Sequence, residues 1–521
     1  MEIETLAGLP GIMARRFGEK TAIVGHDARL TFEDLDRRSN RIANRLLAEA
    51  SMQGERVAVL ARDSAASIPL LFGVAKANAT WMGLNFRLTV EELSQICEDA
   101  APRILFYDPS FADAVKQILA KTKLRFTTVA LGVEATVGEP FSAWLGQPSE
   151  GRPSLAYNAE DVVVQLYTSG TTGLPKGVQL PNRSFFAVPD EMRRREQPFL
   201  GWRDRDVSLL FVPTFYVAAL WWLVRGLAVG STTVVQPGFD PGQALRAIEE
   251  HGVTVLGLVP AMLQMLLSDV SLPATNLSSL RAILYGGSPI SVPLLERAQS
   301  VLSCDLYQAY GMTETGNLVV CLGPAEHRKG DGLRLQAAGH PLPGVRLRIV
   351  DTRGADVAVG QVGEVMIQTP GHMRGYWNQP AATATTLIDG WIRSGDLGRI
   401  DEEGLLHIVD RSKDLIIIAG ENIYPAEIEK VLRTHAAIAD VAVIGIPHEA
   451  WGEEIMAFVV PRAGSELEVR HVALHARTQL APYKVPTRVE LVSQLPRNAG
   501  GKVLKKVLRE PYWQDRGRQV N

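Results

Sequence analysis

Short runs of β-branched and apolar residues alternate with longer stretches whose apolar residues recur at helical spacing. This alternation narrows the folds open to the chain more than any other feature. Residues 32–50 and 68–79 predict helices, and residues 56–60 and 103–107 predict strands. Further on, 208–212, 254–259 and 282–284 predict strands, with helices expected from about Tyr216, over 261–267 and over 292–302. Such an order places successive strands parallel, with helices covering the sheet. After about residue 339 the texture changes. Residues 345–350, 362–368 and 405–409 are short strand candidates among Gly and Asp, as in a β-rich subdomain. Asp410-Arg411-Ser412-Lys413-Asp414 reads as a charged turn. Beyond it, residues 425–434 form a helical pattern with Ile428, Val431 and Leu432 on one face, and 440–446 predict a strand. The expected fold class is α/β. A large N-terminal domain of αβ-layered sheets plus a β-rich subdomain is expected over 1–410, and a small α+β C-terminal domain over 411–521.

Composition excludes several functions. A 521-residue chain has room for about three domain-sized units. With 46% hydrophobic and 21% charged residues, it is not a disordered chain. Lys and Arg number 54 against 57 Asp and Glu, so no global positive field draws nucleic acid. The cysteines are Cys97, Cys304 and Cys321. Their wide spacing argues against a zinc site or disulfide framework and fits a reducing cytoplasm. The start, Met1-Glu2-Ile3-Glu4-Thr5, does not read as a secretory leader, and the final residues carry no lipidation signal. Residues 207–224 are uncharged and just reach membrane-spanning length, but Pro213 interrupts them. They read better as a strand, a turn and a buried helix. Peripheral contact with lipid stays open.

The strongest local signal is Thr168-Ser169-Gly170-Thr171-Thr172-Gly173-Leu174-Pro175-Lys176-Gly177, after an apolar strand candidate over 161–167. Glycines let backbone N–H groups approach phosphate oxygens, hydroxyls donate further bonds, and Lys176 adds charge. The spacing is not that of a Walker A loop. Taken alone, the segment is equally compatible with a surface turn.

Four further motifs follow in order: Tyr310-Gly311-Met312-Thr313-Glu314, Ser394-Gly395-Asp396-Leu397-Gly398, Asp410-Arg411, and Pro496-Arg497-Asn498 leading to Lys502. With the phosphate loop, this series resembles the acyl-adenylate-forming superfamily, from about Arg29 to Pro511. Within it the chain is most similar to bacterial fatty-acyl-CoA ligases, through Tyr285-Gly286-Gly287-Ser288-Pro289, Gly420-Glu421-Asn422-Ile423-Tyr424-Pro425-Ala426-Glu427 and the Leu508–Trp513 tail.

The resemblance implies a set of roles. Thr168, Ser169, Gly170, Thr171, Thr172, Gly173 and Lys176 would bind the phosphates of ATP. Glu314, with Thr168, would hold Mg²⁺, an oxygen-preferring cation, and Thr313 would bond the α-phosphate. Gly287, Ser288 and Tyr310 would surround adenine, Gly311 would belong to the same ATP site, and Asp396 and Arg411 would hold the ribose. Lys502, on a glycine-rich loop, would be the catalytic lysine that lowers charge repulsion during adenylation. The C-terminal domain would be mobile, swinging about Lys413 in a 411–414 hinge, and Gly420 with Glu421 would line a passage for CoA. Tyr216, Val217, Ala218, Gly286 and Gly311 would form the acyl pocket. Tyr216 stands where many relatives have His, and Ala419 where many have a second Gly. Trp221 and Trp222 read as core rather than ligand contacts.

The chemistry so implied is ATP- and Mg²⁺-dependent joining of an apolar carboxylic acid to CoA, with a medium- or long-chain fatty acid expected. An aromatic, cinnamate-like or steroid side-chain acid, or a carrier protein as acceptor, are the alternatives. An inert nucleotide-binding regulator is the reading from another class. No Gly-x-Ser-x-Gly elbow is present, which agrees with a route lacking an acyl-enzyme. The sequence leaves a homodimer open.

Overall fold

A computed structural model describes residues 3–49, 51–168, 175–197, 199–288, 290–329, 334–411, 414–418, 421–448, 452–480, 482–497 and 501–513. The chain divides into two compact units, residues 1–346 with 367–392, and residues 347–366 with 393–521.

The first unit contains two large sheets. In the nine-stranded one, the order is His340–Pro341, Asn317–Leu322, Asp305–Met312, Ala282–Gly286, Val255–Leu258, Val207–Leu210, Thr232–Val235, Thr21–Val24 and Arg29–Thr31. The strands from Asp305–Met312 through Thr21–Val24 run parallel. Antiparallel strands close both edges. Leu209, Val234, Leu256 and Ile283 from these strands pack with Ile248, Leu263 and Leu295 from the crossover helices. Buried on both faces, the strands lose polar alternation and become near-continuous apolar runs.

The eight-stranded sheet follows the same logic. Val162–Thr168, Thr80–Gly83, Arg56–Leu60, Ile104–Tyr107, Thr127–Ala130 and Glu139–Pro140 are parallel neighbours. Lys176–Pro181 returns antiparallel to Val162–Thr168, and the short strand Gly375–Tyr376 adds beyond it. Helix Val90–Ala100 covers one face. It starts with a capping box in which Thr89 and Glu92 satisfy each other's backbone N–H groups.

Helix Val217–Val229 is apolar except for Arg225 and has 13 residues. No helix among the described residues is long and apolar enough to cross a membrane. Trp221 and Trp222 are buried, and the Trp222 ring packs edge-on to Trp202 with centroids 4.9 Å apart.

In the second unit, the Asp396–Ile400 part of strand Trp391–Ile400 pairs antiparallel with Leu406–Arg411, and Asp396 stands opposite Arg411 in that ladder. Here the chain departs from the sequence reading. Asp410-Arg411, expected in a charged turn, lies in a strand, and so does Asp396 in its Ser394-Gly395-Asp396 run. Gly395, at φ +70°, and a bulge at Leu397/Gly398 absorb the turn-forming residues without ending the strand. Farther along, the hairpin partners Ile438–His448 and Gly452–Pro461 dominate another sheet. Helices Pro425–Arg433 and Val469–Gln479 cover one face through Ile428, Leu432 and Val472. Helix Lys505–Trp513 covers the other, where the Trp513 indole N–H donates to the Gly445 carbonyl at 3.2 Å.

Candidate functional site

Thr168 and Lys176 are direct partners across the antiparallel hairpin. They hold the two ends of the glycine- and hydroxyl-rich loop together. Ser169, Gly170, Thr171, Thr172 and Gly173 lie outside the described residues, as do Lys413 and Gly420. The side chains of Arg411 and Glu421 also lie outside them.

Glu314 sits where strand Asp305–Met312 ends and a single 3₁₀ turn, Thr313–Thr315, begins. The turn is locked locally. The Thr315 hydroxyl donates to the Met312 and Asn317 carbonyls at 2.9 and 2.8 Å, and the Met312 N–H donates back to it at 3.1 Å. Gly316 follows at φ +75°, and a Cβ there would lie 2.3 Å from the Gly371 carbonyl oxygen. At Gly311 a Cβ would lie 1.8 Å from the Asn317 carbonyl oxygen. Both positions therefore demand glycine.

Glu314 itself is buried. Its Oε1 accepts a hydrogen bond from the Tyr376 hydroxyl at 2.8 Å. The Lys176 ammonium lies over the same Tyr376 ring, 4.9 Å from its centre. Burial and the Glu314 charge push the Tyr376 phenol above the usual tyrosine range, so it remains a donor at neutral pH. The structure thus brings Lys176, Tyr376 and Glu314 together. Sequence reasoning missed Tyr376: Gly375-Tyr376-Trp377 has no periodicity and no turn signature, and only its place beside Lys176–Pro181 reveals it.

Gly286 pairs with Ala309 on adjacent parallel strands. The Gly286–Ser288 and Tyr310–Glu314 segments therefore lie side by side at the carboxyl ends of these two strands. Ligands of open parallel sheets bind at this carboxyl end of the strands. A cleft of about 620 Å³ opens at the other end of these strands, lined by Arg281, Asp305 and His327 among others. It contains none of the expected site residues.

Tyr216 precedes helix Val217–Val229 and is half-buried beside Phe215, with ring centres 4.7 Å apart. Val217 is buried and Ala218 exposed. The turn before them is fastened from the other sheet. Asp63 accepts the Thr214 backbone N–H at 2.8 Å and its hydroxyl at 2.6 Å. Burial pushes the Asp63 carboxyl up to about 6 against these stabilising bonds. Nothing in the local sequence marks Asp63.

In the second unit, Asp396 is buried and its N–H donates to the Ser394 hydroxyl at 3.0 Å. Lys502 is exposed near the closed base of its loop. Arg497 bridges to Val503, and the Leu504 N–H donates to the Pro496 carbonyl at 2.8 Å. The Arg497 guanidinium donates to the Gly501 carbonyl and to the Asp440 carboxylate. Three residues beyond Lys502, the Lys505 ammonium pairs with buried Glu429 at 2.7 Å.

No group of three or more His, Cys, Asp or Glu side chains suited to a metal occurs among the described residues. Glu314 and the Thr168 hydroxyl offer oxygen donors. That sparse set fits Mg²⁺, which is commonly held by one or two carboxylates together with substrate phosphates.

A parallel-sheet scaffold presenting a glycine-rich hairpin, a buried carboxylate and a lysine at its strand ends has the features of a nucleotide-handling enzyme. The AMP-binding enzyme family matches residues 13–377, and the family's C-terminal domain matches residues 427–502. The chain belongs to this AMP-binding enzyme family. It is 42% identical to the fatty acid–acyl-carrier-protein ligase ScoC of Streptomyces coeruleorubidus, across 100% of this chain and 99% of that one. It is 35% identical to a feruloyl-CoA synthase of an Amycolatopsis species, across 98% and 100%. Among solved structures it is similar to the o-succinylbenzoate CoA synthetase of Bacillus subtilis in complex with its acyl-adenylate intermediate. That match has a TM-score of 0.85 and 29% identity over 96% and 97% of the two chains.

Proposed function

We propose that the protein activates an apolar carboxylic acid, foremost a medium- or long-chain fatty acid, as its acyl-adenylate and transfers the acyl group to CoA. A carboxylate oxygen attacks the α-phosphorus of ATP, the bond to the β-phosphate breaks, and pyrophosphate leaves. The thiol sulfur then attacks the acyl carbonyl, the bond to AMP breaks, and the thiol proton passes to solvent. Lys176 and the Thr168 loop hold the phosphates, Thr313 bonds the α-phosphate, and Asp396 with Arg411 holds the ribose. Gly287, Ser288 and Tyr310 cradle adenine, with Gly311 in the same ATP site. Lys502 neutralises the charge that builds between carboxylate and phosphate, where a positioned cation is worth most. Mg²⁺, when bound by Glu314 and Thr168, supplies charge neutralisation along the triphosphate. The acid lies along Tyr216, Val217 and Ala218, CoA approaches past Gly420 and Glu421, and the C-terminal domain, residues 411–521, turns at Lys413 between the two steps.

The observation that carries this reading is the Lys176–Tyr376–Glu314 cluster, which ties the base of the phosphate loop to a buried carboxylate at the strand ends. The relationship to ScoC favours a second reading, in which the acceptor is the phosphopantetheine thiol of a carrier protein. The test supplies purified acyl-AMP with either CoA or a holo carrier protein and measures thioester. Product with CoA supports the first reading, and product with the carrier protein alone replaces it with the second. A panel of fatty and aromatic acids, scored by pyrophosphate exchange into ATP, identifies the acid. Absence of exchange across the whole panel rejects both readings.

A further inference from the structure

Tyr376 lies in a two-residue edge strand, yet it is buried and held from three directions. Its backbone is stitched to the strand that carries Lys176. The Arg374 N–H donates to the Gln179 carbonyl at 2.9 Å, and the Trp377 N–H donates to the Gly177 carbonyl at 2.8 Å. Its own N–H donates to the Thr383 hydroxyl at 2.9 Å. The neighbouring Met373 N–H donates to the Glu314 carbonyl at 2.8 Å, so this segment also grips the main chain of the Glu314 turn. On the far side, the Trp377 indole donates to the Asp99 carbonyl at 2.9 Å and stacks under the Arg56 guanidinium at 4.2 Å.

A residue that needed only to fill core would not direct a hydroxyl to one ion and a ring face to another. We propose that Tyr376 is a positioning residue that fixes the Glu314 carboxylate and the Lys176 ammonium in one relation, so that a cation–nucleotide pair meets both already assembled. The hydroxyl anchors Oε1 and so limits how the carboxylate can rotate. The ring face attracts the ammonium through its quadrupole and keeps it beside the base of the loop. Preorganisation of this kind removes the ordering cost from the binding step. The inference rests on the proposed roles of Glu314 in holding Mg²⁺ and Lys176 in binding phosphate.

The test measures ATP binding to the full chain by calorimetry, without acid, in magnesium and in EDTA. The quantity read is the magnesium-linked gain in affinity. Tyr376→Phe keeps the ring and should cut that gain about tenfold, the scale of a hydrogen bond to a charged group, while ATP affinity in EDTA stays within about twofold. Tyr376→Leu should also weaken binding in EDTA, because Lys176 loses its ring. In a Glu314→Gln background, Tyr376→Phe should add nothing. An unchanged gain in Tyr376→Phe, an additive double variant, or an equal loss with and without magnesium each overturns the inference. If Glu314→Gln itself leaves the gain intact, the role given to Glu314 fails first, and the inference falls with it.

Discussion

Asp63 shows how much one side chain can fasten. It reaches from the end of strand Arg56–Leu60 to the turn before helix Val217–Val229 and takes both donors of Thr214. Its carboxyl rises from 3.8 to about 6 because burial disfavours the charge. Between those values the folded chain binds more protons at this site than the unfolded chain. Stability from this group is therefore fully present below about pH 4 and is lost as pH rises through about 6. Asp63→Asn should remove that dependence. The melting temperature of the wild type minus that of the variant should fall as pH rises from about 4 to about 6, and a flat difference would refute the assignment. Neither Asp63 nor Tyr376 was legible in the sequence. Each acts through a partner at least 60 residues away, Thr214 and Glu314 respectively, and no local pattern encodes such a pairing.

At the scale of elements, legibility followed burial. Strand Arg56–Leu60 stands where its apolar run places it. Strand Thr80–Gly83 was hidden, because residues 68–79 read as one helix running up to it. The helix stops at Lys76 and the chain turns at Asn78, φ +57°, before a strand buried at every residue. Asp396 and Arg411 were legible as motif residues but not as strand residues. Gly, Asp and Ser advertise a turn, and only the cross-strand ladder overrides them. The Glu314 turn offers a direct test of how closely an element fits its neighbours. Gly316→Ala combines a left-handed backbone with a collision at Gly371. It should destabilise the chain by about 1–3 kcal/mol and depress adenylation further by displacing Glu314. Gly54 has nearly the same φ, +74°, with nothing within 4 Å. Gly54→Ala should cost less and leave adenylation unchanged. Equal effects in urea unfolding and pyrophosphate exchange would show that packing around the turn is unimportant.

At the scale of the molecule, the proposed cycle separates two demands made on one chain. Lys502→Ala should lower ATP–pyrophosphate exchange by about 10²-fold or more, as removal of a transition-state charge stabiliser does. It should spare thioester formation from supplied acyl-AMP. Parallel loss of both steps would contradict a lysine that serves adenylation alone. Asp396 and Arg411, the proposed ribose contacts, would answer the other demand. They face each other across a single antiparallel ladder, so a pivot placed beyond 411 leaves their separation untouched. On that cycle the sugar grip works as a ratchet pawl: it stays engaged while the lysine is exchanged for the thiol. An activated acid so retained keeps its nucleotide handle between the two reactions, and swivelling need not loosen the hold on it.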